Sequence, residues 1–162
     1  MSTVWPHEAP RISVIVRSFN RLGLLGDLID ALLKQDHDSF EIVVIEQSTD
    51  RDRHDVDRVD KLARDPRVRL LESRPLGGPG ARNAGVRAAR GDLLVFIDDD
   101  DLPASRDWLQ RHEANFIDRR CLGVTGQFVG EGVSHGATNS ICFGSSWSSA
   151  QALSTSSSVG MR

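Results

Sequence analysis

Asp98, Asp99, Asp100 and Asp101 stand in a row behind the apolar run Leu93-Leu94-Val95-Phe96-Ile97. A run of that composition predicts a strand buried on both faces of a parallel sheet. Carboxylates at its carboxyl end fall where open α/β sheets bind their ligands. Four adjacent like charges repel one another, so the cluster calls for positive charge. A divalent cation with oxygen ligands is the natural counterpart, and a ligand's phosphate can complete its coordination. A plain acidic turn leading into a helix would need only one or two aspartates.

Three other segments carry groups that could meet the same ligand. Leu76-Gly77-Gly78-Pro79-Gly80 reads as a loop opening into a helix, with Arg82 beside it. Close backbone approach, a helix N-terminus and a guanidinium suit an anion. It is a poor dinucleotide fingerprint, because Asn83 stands where the third glycine belongs and the loop follows the third strand rather than the first. Glu46 ends a strand and is followed by Gln47, Ser48 and Asp50; its carboxylate could accept a base N–H or a ribose hydroxyl, or cap a helix. Ser18 and Asn20 are similarly open when taken alone.

The elements that must position these groups follow from hydrophobic period. Strands are expected at residues 12–16, 42–45, 68–71, 93–97 and 122–129. Asn20 is expected to cap a helix with Leu22, Leu25, Leu28, Ile29 and Leu32 on one face. A polar helix carrying Val56, Val59, Leu62 and Ala63 should end near Asp65-Pro66. Helices are also expected at 81–90, stopped by Gly91, and at 105–117, with Leu109, His112 and Phe116 on one face. Trp108 and Phe116 read as core residues, and His112 as a histidine with a satisfied hydrogen bond. Strands alternating with helices predict an α/β fold, a doubly wound, mainly parallel sheet with flanking helices. The loops after the strands, at 17–20, 46–50, 77–82 and 98–101, should then converge on one crevice.

Composition narrows the function classes. The 162 residues suit one domain with a real core, and the net charge of −3 gives no reason to expect a nucleic-acid partner. Cys121 and Cys142 have no metal-ligand spacing and read as buried thiols. The N-terminal ten residues lack the pattern of a secretory signal, and no stretch is long and apolar enough to be a transmembrane segment. The expectation is a cytoplasmic protein, peripheral at a membrane face at most. Residues 132–162 contain no Asp, Glu or Lys and carry ten serines. Such a composition reads as poorly ordered, or as a truncated piece of something longer.

Taken together, the segments resemble the inverting family 2 glycosyltransferases and their GT-A, Rossmann-like nucleotide-binding fold. The resemblance is carried by Ile12-Ser13-Val14-Ile15-Val16-Arg17-Ser18-Phe19-Asn20, by residues 41–50, by Gly80-Ala81-Arg82-Asn83-Ala84-Gly85, and by Ala89-Arg90-Gly91-Asp92 running on to Asp101. It covers about residues 11–130. It implies a donor-binding GT-A domain over 1–130, with 131–162 a Ser/Gly-rich tail or truncated acceptor part. Ser18, Phe19 and Asn20 would line the nucleotide pocket, with Glu46 and Ser48 near the base. Arg82 would support the nucleotide. Asp98-Asp99-Asp100 fits the Asp-x-Asp signature, with Asp98 and Asp100 as metal residues for Mg²⁺ or Mn²⁺. The implied donor is a nucleotide-diphosphate sugar, a UDP- or dTDP-sugar by family habit, and the acceptor is a saccharide or lipid-linked hydroxyl.

The chain departs from the family downstream. After Asp118 the only carboxylate is Glu131, so the acidic motif that usually supplies the general base is missing and the catalytic base stays unassigned. The leading expectation is therefore a metal-dependent transferase, truncated or weakly active. A non-catalytic nucleotide-binding module is the alternative. A nucleotidyltransferase of similar fold would want a Gly-rich basic loop after the first strand, which Arg17-Ser18-Phe19-Asn20 is not.

Overall fold

The computed structural model describes residues 10–118 and 120–126, and the backbone of 141–144. Residues 1–9, the end of the expected fifth strand, Glu131, His135, the Cys142 side chain and most of the serine-rich tail lie outside the described residues. The chain divides after Arg106 into two compact units.

In the first unit, β1 (Ile12–Ser18), β2 (Phe40–Glu46), β3 (Val68–Glu72) and β4 (Leu93–Asp98) form one sheet in the order β3-β2-β1-β4. Every pairing is parallel. The chain winds outward from β1 through β2 to β3, then returns to the other side of β1 for β4. The switch point therefore lies between β1 and β4, and Arg17 stands in register with Asp98 there. This is where a crevice forms at the carboxyl ends of such a sheet. β2 is buried along its whole length, and β1 everywhere except the half-buried Arg17. That is why their sequences are β-branched with almost no polar alternation.

β4 does not meet the expectation of burial on both faces. Leu94 and Phe96 are 39% and 49% exposed. β4 is an edge of this sheet, and α3 packs mainly on β1 and β2. A continuous apolar run says what can be buried; its position in the sheet decides what is.

Three helices flank the sheet: α1 (Leu22–Leu33), α2 (Arg53–Leu62) and α3 (Gly77–Ala88). α1 buries Leu22, Leu25, Leu28, Ile29 and Leu32, the stripe its period predicts. Asp52 caps α2, its carboxylate accepting from the backbone of His54 and Asp55. α3 starts four residues earlier than expected, so the Gly-rich segment is a helical first turn rather than a loop. Pro79 is tolerated because first-turn N–H groups have no intrahelical partner. Gly77, at φ +70°, takes the left-handed turn into the helix. The helix also ends earlier, at Ala88, and Gly91 serves a different purpose. A β-carbon there would lie 2.7 Å from the Ser13 backbone nitrogen and 2.8 Å from the Ile12 carbonyl carbon. Gly91→Ala is expected to cost about 1–3 kcal/mol by overpacking, read as a lower urea midpoint at unchanged slope.

The second unit contains α4 (Trp108–Ala114), a 3-10 turn (Asn115–Ile117), β5 (Cys121–Thr125) and β6 (Ile141–Gly144). β5 and β6 pair antiparallel. β6 falls within the stretch whose composition reads as poorly ordered or truncated; a run of four residues is too short to stand out from that composition. Leu109 and Cys121 are buried, whereas Trp108 and Phe116 are only partly so. The His112 ring meets Trp108 edge-on at 4.6 Å, and burial pushes its pKa down. Its expected hydrogen bond is not found among the described residues.

Candidate functional site

The four strand-end loops are stitched to one another by named bonds. The Gln47 backbone N–H donates to the Ser18 carbonyl at 3.0 Å, continuing the β1–β2 ladder into the loops. Asn20 takes a left-handed conformation, φ +56°, which asparagine tolerates better than most residues. Its Oδ1 accepts from the backbone N–H of Thr49 (2.9 Å) and Asp50 (3.1 Å), and its own N–H donates to Ser48 Oγ at 2.7 Å. Asn20 is thus not the helix cap it was expected to be. The N-cap of α1 is Arg21, without a side-chain bond, and Asn20 instead pins the β2 loop against the β1 loop. Gln47 Oε1 accepts from the Leu76 N–H at 2.6 Å, which ties the β2 loop to the start of α3.

Glu46 is buried and already engaged. One oxygen accepts from the Ser48 N–H and the other from Arg51 at 2.6 Å. Arg51 also reaches Glu72 at 2.9 Å and the Ser48 carbonyl at 3.2 Å, and these acids raise its pKa above the ordinary value. Glu46 therefore organises the rim of the crevice through Arg51, with each of its oxygens accepting one hydrogen bond. Phe19, in the loop after β1, is exposed.

The acidic row is neutralised from within. Asp98 receives Arg82 at 2.7 Å and Arg17 at 3.2 Å. Arg17 Nε is enclosed without a hydrogen bond of its own, although it faces that carboxylate. Asp99 is buried, accepting from Ser18 Oγ at 2.9 Å, with Arg21 at 3.5 Å. Asp100 takes Arg21 at 2.6 Å. The hydrogen bond to Asp100, then the charges of Asp100 and Asp99, raise the Arg21 pKa. Asp101 has no arginine partner among the described residues; burial first, then Asp100, Asp98 and Asp99, raise its carboxyl above the usual range. The positive charge that the row demands is thus supplied in part by Arg17, Arg21 and Arg82. Of these, the sequence points only to Arg82, and for an anion rather than for Asp98. The one charged residue inside β1 is the available signal for Arg17.

The donor chemistry suits a hard cation. Asp98 and Asp100 are partly exposed carboxylates at the switch point, and Mg²⁺ or Mn²⁺ needs only one or two such ligands when waters and substrate phosphates fill the rest. A second cluster, Asp52, His54 and Asp55, brings three potential ligand atoms within 4.8 Å at the exposed start of α2. Asp52 there already serves as the cap.

A family model described as glycosyl transferase family 2 matches residues 13–141. EpsJ of Bacillus subtilis, an uncharacterised glycosyltransferase, is 35% identical over 96 residues, which are 59% of this chain and 28% of that protein. The GalNAc(5)-diNAcBac-PP-undecaprenol beta-1,3-glucosyltransferase of Campylobacter jejuni is 36% identical over 95 residues, 57% of this chain and 30% of its own length. Among solved structures, a mannosyltransferase of Pyrobaculum calidifontis in complex with GDP-Man and Mn²⁺ superposes with a TM-score of 0.62 at 31% identity, over 72% of this chain and 35% of that one. S. aureus TarS in complex with UDP-GlcNAc gives 0.57 at 29% identity, over 68% and 32%. The chain thus spans about a third of the length of these relatives. Its parallel sheet with flanking helices is of the GT-A type they share.

Proposed function

We propose that this chain, which belongs to glycosyl transferase family 2, binds a nucleotide-diphosphate sugar at the β1–β4 switch point and serves transfer of the sugar, with inversion, to an acceptor hydroxyl. The observation that carries this reading is the joining of four strand-end loops around Asp98 and Asp100, with Arg17 and Arg82 alongside. Asp98 and Asp100 would hold the Mg²⁺ or Mn²⁺. Such an ion, when bound, supplies Lewis-acid stabilisation of the charge that develops on the leaving diphosphate. Arg82 and Arg17 place two guanidinium groups at the α3 N-terminus, close to Gly78, where phosphate oxygens would be favoured. The loops pinned by Asn20, with Ser48 and Phe19, would flank the nucleoside. UDP-, dTDP- and GDP-sugars are the candidate donors, and a saccharide or lipid-linked hydroxyl the acceptor. That hydroxyl needs a general base on the face opposite the leaving group. No described residue is assigned to that role.

The second reading, a nucleotide-binding module without transfer, is favoured by the lack of any carboxylate side chain in residues 132–162. Turnover assays on a panel of sugar nucleotides, beside calorimetry of nucleoside diphosphates with Mn²⁺, separate the two. Transfer or donor hydrolysis is the expected result; binding with neither would establish the module. Arg82→Ala is expected to weaken diphosphate binding by about 1–3 kcal/mol while leaving the bare nucleoside unaffected. A loss of thermal stability with unchanged diphosphate affinity would make Arg82 purely structural.

A further inference from the structure

We propose that Arg21 is a built-in counter-cation of the acidic row, occupying Asp100 and Asp99 until a divalent ion displaces it. The inference rests on the reading of Asp98 and Asp100 as metal residues, and goes beyond it by assigning a positioning residue that sets how readily the ion enters.

Three features single out Arg21 among the arginines of the site. Its guanidinium bridges two members of the row, Asp100 at 2.6 Å and Asp99 at 3.5 Å, so it stands where a cation shared by the row would lie. It is half exposed, whereas Arg17 is enclosed at Nε and shares Asp98 with Arg82. A half-exposed pair is easily opened, because water replaces most of what is lost. Finally, the α1 N-terminus does not depend on this side chain: Arg21 supplies its backbone carbonyl to the Leu25 N–H, and no side-chain cap is made.

The displaced guanidinium has somewhere to go. Arg21 lines an open groove between the starts of α1 and α2 with Arg51, Arg53 and Arg58 and with Asp27, Asp50, Asp52 and Asp55. Arg58 pairs with Asp27 at 2.7 Å and Asp52 caps α2, so Asp50 and Asp55 are the carboxylates a turning guanidinium would approach. Rotation about its side-chain bonds moves the charge from Asp100 toward these carboxylates with the backbone unchanged. While it stays on Asp100, it both covers a ligand oxygen and repels an incoming dication. The ion alone should therefore bind weakly, and removal of Arg21 should strengthen it.

The test titrates Mn²⁺ alone into the full chain, free ion being followed by electron paramagnetic resonance. Arg21→Gln is expected to bind Mn²⁺ about tenfold or more tightly than the parent, and Arg21→Lys, which keeps the charge, within about threefold of it. Asp99 could be left under-compensated by the Gln variant. The same comparison is therefore made between Asp99→Asn and Asp99→Asn/Arg21→Gln, with the same gain expected. Equal or weaker Mn²⁺ binding on losing Arg21 in both backgrounds overturns the proposal. Adding Asp100→Asn to Arg21→Gln separates this from the reading beneath it. If tight binding disappears, Asp100 is a ligand, and the gain on removing Arg21 is a gain at this site. If Mn²⁺ affinity ignores Asp100, the metal assignment fails, and the proposal with it.

Discussion

Asp100→Ala should abolish Mn²⁺-dependent binding of nucleoside diphosphates, weakening it about a hundredfold or more, equivalent to at least about 2.7 kcal/mol. The size follows from the small number of protein ligands available: with two carboxylates for a dication, loss of one removes half the protein's share of its coordination. Folding should hardly change. Asp100 is half exposed, its only ion pair among the described residues is with Arg21, and pairs of that exposure contribute little to stability. Removing one of four adjacent like charges also relieves repulsion. Asp118→Ala is a fitting control. Its carboxyl, held down at about 2 chiefly by hydrogen bonds from Arg120, is another arginine-paired aspartate, but it belongs to the second unit and is given no part in the proposed site. Calorimetry with UDP and GDP in excess Mn²⁺ reads both variants. Unchanged affinity in Asp100→Ala would count against the assignment.

The second large effect is on stability, at the opposite end of the sheet. Glu41→Ala is expected to cost about 3–5 kcal/mol, the usual result of deleting one partner from a buried charged network. Glu41 is buried and accepts from Ser13 Oγ at 2.7 Å, the Arg90 N–H at 2.7 Å and Arg69 at 3.0 Å. Arg69 in turn donates to the Ala88 carbonyl at 2.6 Å, and Ser13 Oγ accepts from the Arg90 and Gly91 N–H groups at 3.2 and 2.8 Å, so Glu41 sits at the centre of the bonds that fasten the C-terminus of α3 to the sheet. Alanine would leave Arg69 half-buried without its anion and the Arg90 N–H without a strong acceptor. Glu41→Gln preserves an acceptor and should cost less, about 1–3 kcal/mol. Denaturant unfolding followed by far-ultraviolet circular dichroism measures both; a loss below about 1 kcal/mol in the alanine variant would show that the network is not what holds α3. In a domain whose whole stability is about 5–15 kcal/mol, the expected loss is a large share.

The parts of this fold that could be read from the sequence are those fixed by short-range pattern. The runs in β1 and β2 have one reading because both strands are buried on both faces, and the α1 stripe has one because its apolar residues recur at helical spacing. The start of α3 was hidden because Gly77, Gly78, Pro79 and Gly80 look like loop residues, while a first helical turn asks nothing of their N–H groups. The exposure of Phe96 could not be foreseen from β4 alone, since it depends on what lies beside that strand. The acidic row announced itself by local sequence. Its counter-ions did not: Arg17 and Arg21 stand 81 and 79 residues from Asp98 and Asp100, and only the parallel register of β1 with β4 brings them together. The same holds for Asn20, whose partners lie across two loops rather than along the helix it precedes.

The central claim is that Asp98 and Asp100 gather a divalent ion through which the diphosphate of an activated sugar is held. Anomalous scattering from crystals grown with Mn²⁺ and a sugar nucleotide tests it most directly. A manganese peak between those two carboxylates and the diphosphate is the predicted result. A peak at Asp52, His54 and Asp55 instead, or a bound sugar nucleotide with no metal beside the acidic row, would contradict it.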